Sequence, residues 1–180
     1  MAANNFSLPR MLLCDLLAAS PTFRTLVGAA DSTTASRRIK SPYAGDVEAG
    51  SQRRTLVDMP RAIINRGDEW ERDKIGTCFG RSSGNLVLSI QALPDQAAGG
   101  DPDVELDLFE TAIGDIMAEV EARESTAMLT GENVRSAVDI TQHSHLVVTK
   151  WACLAIGEGE QKNENGLLWY GAILIVWFVG

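Results

Sequence analysis

The chain has 180 residues, 45% of them hydrophobic and 22% charged, with a formal net charge of −8. That length and apolar content fit one domain with a core of its own rather than a disordered chain, and the acidic balance excludes a general nucleic-acid binder. Three cysteines, Cys14, Cys78 and Cys153, are too scattered for a disulfide framework or a zinc site, so reduced thiols in a cytoplasm are expected.

The first residues, MAANNFSLPR, contain no basic region leading into a long apolar run, so no secretory signal is expected. Ser7 is placed to cap a helix from Leu8, with Pro9 in its first turn, where a missing N–H does no harm. Met11, Leu12, Leu13, Leu16 and Leu17 give that helix an apolar stripe. Ser20-Pro21 repeats the cap signal, and Phe23, Leu26 and Val27 predict a second short helix ending at Gly28. Residues 29–54 are small, polar and basic, and predict an extended arm or loop.

Thr55–Asn65 reads as a first strand, with Pro60 tolerable at a strand start or edge. Lys74–Phe79 and Asn85–Leu93 are strand-like, and the turn formers Gly80-Arg81-Ser82-Ser83-Gly84-Asn85 between them predict a hairpin turn. A loop over Asp95–Pro102 leads to the clearest helix, capped by Asp101. Its apolar residues are Val104, Leu108, Phe109, Ala112, Ile113, Ile116, Met117 and Val120, and acids fill the other face. Gly114 inside it costs about 1 kcal/mol relative to Ala and is read as a mark of close packing. Ser125–Ser136 is then a connector with room for another short helix, Val138–Ile156 a strand region and Gly157–Gly166 a polar loop.

The closing run, Leu167 to Val179, would span about 20 Å as a helix, short of the roughly 30 Å of a bilayer core. Its β-branched and aromatic residues favour a strand over a membrane anchor. In a strand Trp169, Gly171, Ile173, Ile175 and Trp177 share one face, and Tyr170, Ala172, Leu174, Val176 and Phe178 the other. Both faces are apolar and both need covering. The acidic helix covers one, and a second subunit is the economical cover for the other. The order helix, strands, helix, strands thus predicts an α+β fold. A mainly antiparallel sheet carries one long helix across it, preceded by an N-terminal helical segment (1–28) and the arm (29–54), with the sheet-and-helix core over 55–180 of a single domain.

Candidate chemistry is thin. Gly80–Gly84 matches the G-x-S-x-G nucleophile pattern, but that motif needs a strand before it and a helix after it, and here a strand follows. A small serine hydrolase using Ser82 or Ser83 is the enzymatic alternative. His143 and His145 share a strand face without a visible carboxylate or cysteine partner, which points to surface histidines rather than a metal site. Arg37, Arg38, Lys40, Arg53 and Arg54 can meet phosphates or an acidic neighbouring subunit. Eight Lys/Arg against four Asp/Glu lie between Arg24 and Arg66, and nine Asp/Glu against one Arg between Asp101 and Glu124; the two stretches can complement each other between copies, face different partners, or simply be solvated surfaces.

The arrangement MPRAII, a hairpin ending NLVLSIQALPD, the helix DVELDLFETAIGDIMAEVE and a closing strand introduced by NENGLLWYGAILIV resembles the tail-terminator proteins of long-tailed bacteriophages. The likeness covers roughly residues 58–179 and departs from the family pattern in the long 29–54 segment and the 125–137 connector. The resemblance implies a non-enzymatic virion protein without a cofactor, assembled in the host cytoplasm. It implies a homohexameric ring that caps the tail-tube protein, ends tube polymerisation and meets a neck protein of the head, while double-stranded DNA passes through and no membrane is involved. In that setting Asp103, Asp107, Glu110, Asp115 and Glu119 of the acidic helix are expected to face the channel, and the basic arm to clasp a neighbour or the neck. A neck stopper or a tail-tube subunit of the same virion would share much of the pattern; tube subunits polymerise, whereas a terminator stops at a ring.

Overall fold

The computed structural model describes residues 8–40, 60–75, 79–93, 101–130, 147–158 and 170–179. Helix α1, Leu8–Ala19, carries Leu12, Leu13, Leu16 and Leu17 on one fully buried stripe. Ser20 ends it and caps α2, Pro21–Leu26, by accepting the amide of Phe23 at 3.0 Å, with Pro21 at the first helical position, where no N–H is needed. Gly28, at φ 64°, takes the left-handed conformation that closes α2.

The expected arm is folded over its first part. Asp31 accepts the Thr34 amide at 2.7 Å and caps α3, Ser32–Arg37, which passes directly into a two-residue strand, β1, Ile39–Lys40. The small residues that look like loop supply an N-cap and one fully buried residue, Ala35. Residues 41–54, with Arg53 and Arg54, lie outside the described residues.

β2, Arg61–Ile75, starts directly after Pro60 and pairs antiparallel with β3, Phe79–Ala92. Helix α4, Pro102–Thr130, is followed by β4, Val147–Glu158, and β5, Tyr170–Val179. Asp101 caps α4, accepting the Asp103 amide at 3.1 Å. The five-stranded sheet has the order β1-β2-β3-β5-β4; β1 runs parallel to β2 and every other pairing is antiparallel. The fold is therefore α+β, with the long helix across a mainly antiparallel sheet, as expected. The closing run supplies its hydrophobic interior strand β5, between β3 and β4.

Several boundaries differ from expectation: β2 runs on to Ile75 rather than ending at Asn65, the expected strand Lys74–Phe79 is divided between the end of β2 and the start of β3, and β4 continues to Glu158. The turn formers Gly80–Asn85 lie inside β3, where Ser82 faces Arg72 and Ser83 faces Glu71 on β2. A long polar continuation of β2 offers them a ladder, and pairing overrides their weak strand propensity. The expected connector from Ser125 begins as helix, because α4 runs on to Thr130.

The described helices gather on one sheet face. Ala62 and Ile64 of β2, Leu86, Leu88, Ile90 and Ala92 of β3, and Tyr170, Ala172, Leu174, Val176 and Phe178 of β5 join α1, Phe23, Val27 and Ala35 in one buried cluster. From α4 it receives Phe109, Ile113, Ile116 and Val120. The Tyr170 hydroxyl donates to Glu105 Oε2 at 3.1 Å, and its ring lies 5.9 Å from that of Phe109, which fixes the start of α4 over the start of β5. Among the described residues no helix is long and apolar enough to cross a membrane.

Candidate functional site

The other sheet face carries no described helix. Residues opposite each other in a ladder share a face, so the registers place Ile63, Ser89, Ile173 and Ala155 in one row across it and Asn65, Val87, Ile175 and Ala152 in the next. Two register shifts in β4, between Val148 and Lys150 and between Cys153 and Ala155, keep these rows in phase and turn Leu154 outward, 61% exposed. Ile173 is 40% exposed at the centre of the face. Ile175 and Trp177 are half-buried, and Asn65 Oδ1, shielded from solvent, has no hydrogen-bond partner among the described residues.

Gly171, Ile173, Ile175 and Trp177 of the expected interface therefore stand together on one open face, while Tyr170 to Phe178 on the opposite side are buried. Trp169 lies outside the described residues. An apolar sheet face with an exposed isoleucine at its middle is suited to burial against a protein surface rather than to chemistry.

Toward the far end of the face the apolar rows give way to polar groups. β2 bulges between Arg66 and Trp70, and Asn85 fills the bulge. Its Oδ1 accepts the Glu69 amide at 3.3 Å, and a methyl at Gly67 would overlap the Asn85 carboxamide. Trp177 Nε1 donates to Glu69 Oε2 at 3.2 Å, and Lys150 Nζ stands 4.7 Å from the Trp177 ring centroid. Around them lies a depression of about 350 Å³ bordered by Glu69, Glu71, Ser83, Thr149 and Trp177. The cluster was not expected, because the strand predicted over Thr55–Asn65 stops short of Glu69. Its one signal was a glycine in a strand run, at Gly67.

The acidic helix is divided. Asp103, Asp107, Glu110 and Asp115 are exposed. Glu119 is not a free surface acid: Ser20 Oγ donates to its Oε2 at 2.5 Å, the Thr22 amide to the same oxygen at 3.1 Å and Thr22 Oγ1 to Oε1 at 2.7 Å. Burial raises the Glu119 pKa, but these bonds and the nearby Arg24 charge outweigh it and hold the carboxyl below its ordinary value. Its expected place facing a channel is corrected to a tie between α2 and α4. Val104 and Leu108 also leave the expected buried stripe, at 45% and 53% exposure. Leu108 borders an open groove of about 630 Å³ between α2 and α4, with Thr25, Leu26, Ala112 and Tyr170.

Of the basic residues, Arg37 and Lys40 are exposed and Arg38 half-buried. They follow one another through the end of α3 and β1 at the sheet edge, where the Arg38 carbonyl accepts the Ala62 amide. Ser82 is followed by ten further residues of strand rather than by a helix, so the strand-to-helix turn of a serine nucleophile is not formed there. His143 and His145 lie outside the described residues, and among those described no cluster of histidine, cysteine and carboxylate is placed to hold a metal. In comparisons with known proteins, no family model matches this chain and no curated protein matches it.

Proposed function

We propose that this chain is a non-enzymatic structural subunit of a long-tailed phage virion, a tail terminator. Copies assemble through the open sheet face into a hexameric ring on the last ring of tail-tube protein. The ring ends tube polymerisation and presents its other side to a neck protein at the head–tail joint, and DNA passes through it.

The observation that carries this reading is the open face of β5. This interior strand is apolar on both sides, and the described helices cover only one of them, leaving Ile173 40% exposed on the other. Covering Ile173 and its neighbours with a second copy removes apolar surface from water at about 25 cal/mol per Å². The exposed acids Asp103, Asp107, Glu110 and Asp115 suit a surface past which DNA must move without sticking. The hexamer, the tube and the neck come from the family resemblance.

Light scattering on the purified chain, with negative-stain images with and without tail tubes, tests this reading. Rings, or capped tube ends, are the expected result. Open-ended tubes made of the chain itself would identify a tube subunit instead, and a monomer that ignores tubes would overturn the proposal.

A further inference from the structure

Two charged patches lie at opposite ends of the sheet. The basic one, Arg37, Arg38 and Lys40, sits at the β1 edge, where β1 pairs with Ala62 and Ile63. The acidic one, Glu69 and Glu71, borders the depression beside Trp177, beyond the β2 bulge. Eight residues of β2 separate Ala62 from Trp70, roughly 25 Å along the strand.

We infer that the depression at Glu69, Glu71 and Trp177 receives the Arg38–Lys40 edge of a second copy of this chain. The inference rests on the ring reading and names the contact that builds the ring. Three observations support it. The depression is pre-organised for a cation: Trp177 is held edge-on by Glu69, and its ring already carries the Lys150 ammonium. The charged side chains that line the depression among the described residues, Glu69 and Glu71, are both acidic, so a cationic side chain is favoured there. The two patches are also different surfaces far apart on one subunit, so their contact is head-to-tail. Such heterologous contacts, unlike two-fold ones, propagate and close into rings.

Charge reversal tests the pairing. One variant carries Glu69→Lys and Glu71→Lys, and the other Arg38→Glu and Lys40→Glu. Each alone is expected to weaken self-association by about tenfold or more. Mixed in equal amounts, they are expected to recover assembly as alternating rings, because every junction then joins opposite charges. Glu71→Lys alone, at an exposed side chain with no fold role, is expected to weaken assembly while leaving the circular dichroism spectrum unchanged. Wild-type assembly by either reversed variant, or a mixture that stays dissociated, would overturn this contact and leave the ring reading standing. A wild-type chain that stays monomeric and leaves tail tubes uncapped would overturn the ring reading itself.

Discussion

Two glycines show how little a residue's identity says without its surroundings. Gly114 sits mid-helix and exposed, and an added Cβ would meet nothing within 4 Å. The close packing expected of it is absent, so only its backbone entropy matters. Gly114→Ala is expected to stabilise the fold by about 0.5–1 kcal/mol. Gly67 is the opposite case, since a methyl there would collide with Asn85, both its side chain and its carbonyl oxygen. Gly67→Ala is expected to destabilise by about 1–3 kcal/mol, as the bulge must open to admit it. Urea titrations of the two variants check both signs; equal effects would show that the bulge yields without cost.

Glu119 makes a second prediction at this scale. Its carboxyl accepts three hydrogen bonds from α2 and has a depressed pKa. A depressed acid contributes stability that is fully present above its unfolded value, near 4.5, and lost as pH falls through the folded value. Wild type should therefore lose stability on acidification below about pH 4.5, and Glu119→Gln should flatten that limb. Glu119→Ala, which strands the Ser20 and Thr22 donors, should cost about 1–3 kcal/mol at neutral pH. Thermal melts of the three proteins across pH measure this. An unchanged acid limb in Glu119→Gln would assign the loss to other carboxylates.

At the scale of elements, what was legible followed from periodicity and caps. The alternation of the closing run gave its two faces residue by residue, and Ser20-Pro21 and Asp101 marked helix starts that the hydrogen bonds bear out. Where the sequence misled, pairing had overruled composition. Gly80–Asn85 looks like a turn, yet the partner strand holds it extended and uses Asn85 to satisfy the bulge. The acidic helix misled through its phase. At about 100° per residue, Leu108 lies a quarter-turn or more off the line through Phe109, Ile113, Ile116 and Val120. Spacings of one and four had merged two rows into one stripe. Ile116→Ala should thus cost about 2–5 kcal/mol, whereas Leu108→Ala should stay within about 0.5 kcal/mol. Denaturation midpoints separate the two, and similar losses would mean that Leu108 is buried in solution by something other than this subunit.

At the scale of the whole molecule, the layering is one-sided: helices, sheet, then nothing described beyond it. The Glu69–Asn85–Trp177–Lys150 cluster was illegible because its members come from four separated stretches joined only by strand register. The need for a cover over β5 was legible, since no alternation of polar and apolar residues marks a solvated side. Ile173, 40% exposed in the middle of that face, gives the sharpest discrimination. Ile173→Asp leaves the helical core untouched and places a charge where a second copy would have to desolvate it. The variant should melt within a few degrees of the wild-type subunit, a shift of about 1 kcal/mol or less, yet fail to form rings or cap tubes. A variant that assembles like wild type would remove the open face from the interface and turn attention to the groove beside Leu108. One that fails to fold would show that the face is covered within the subunit after all.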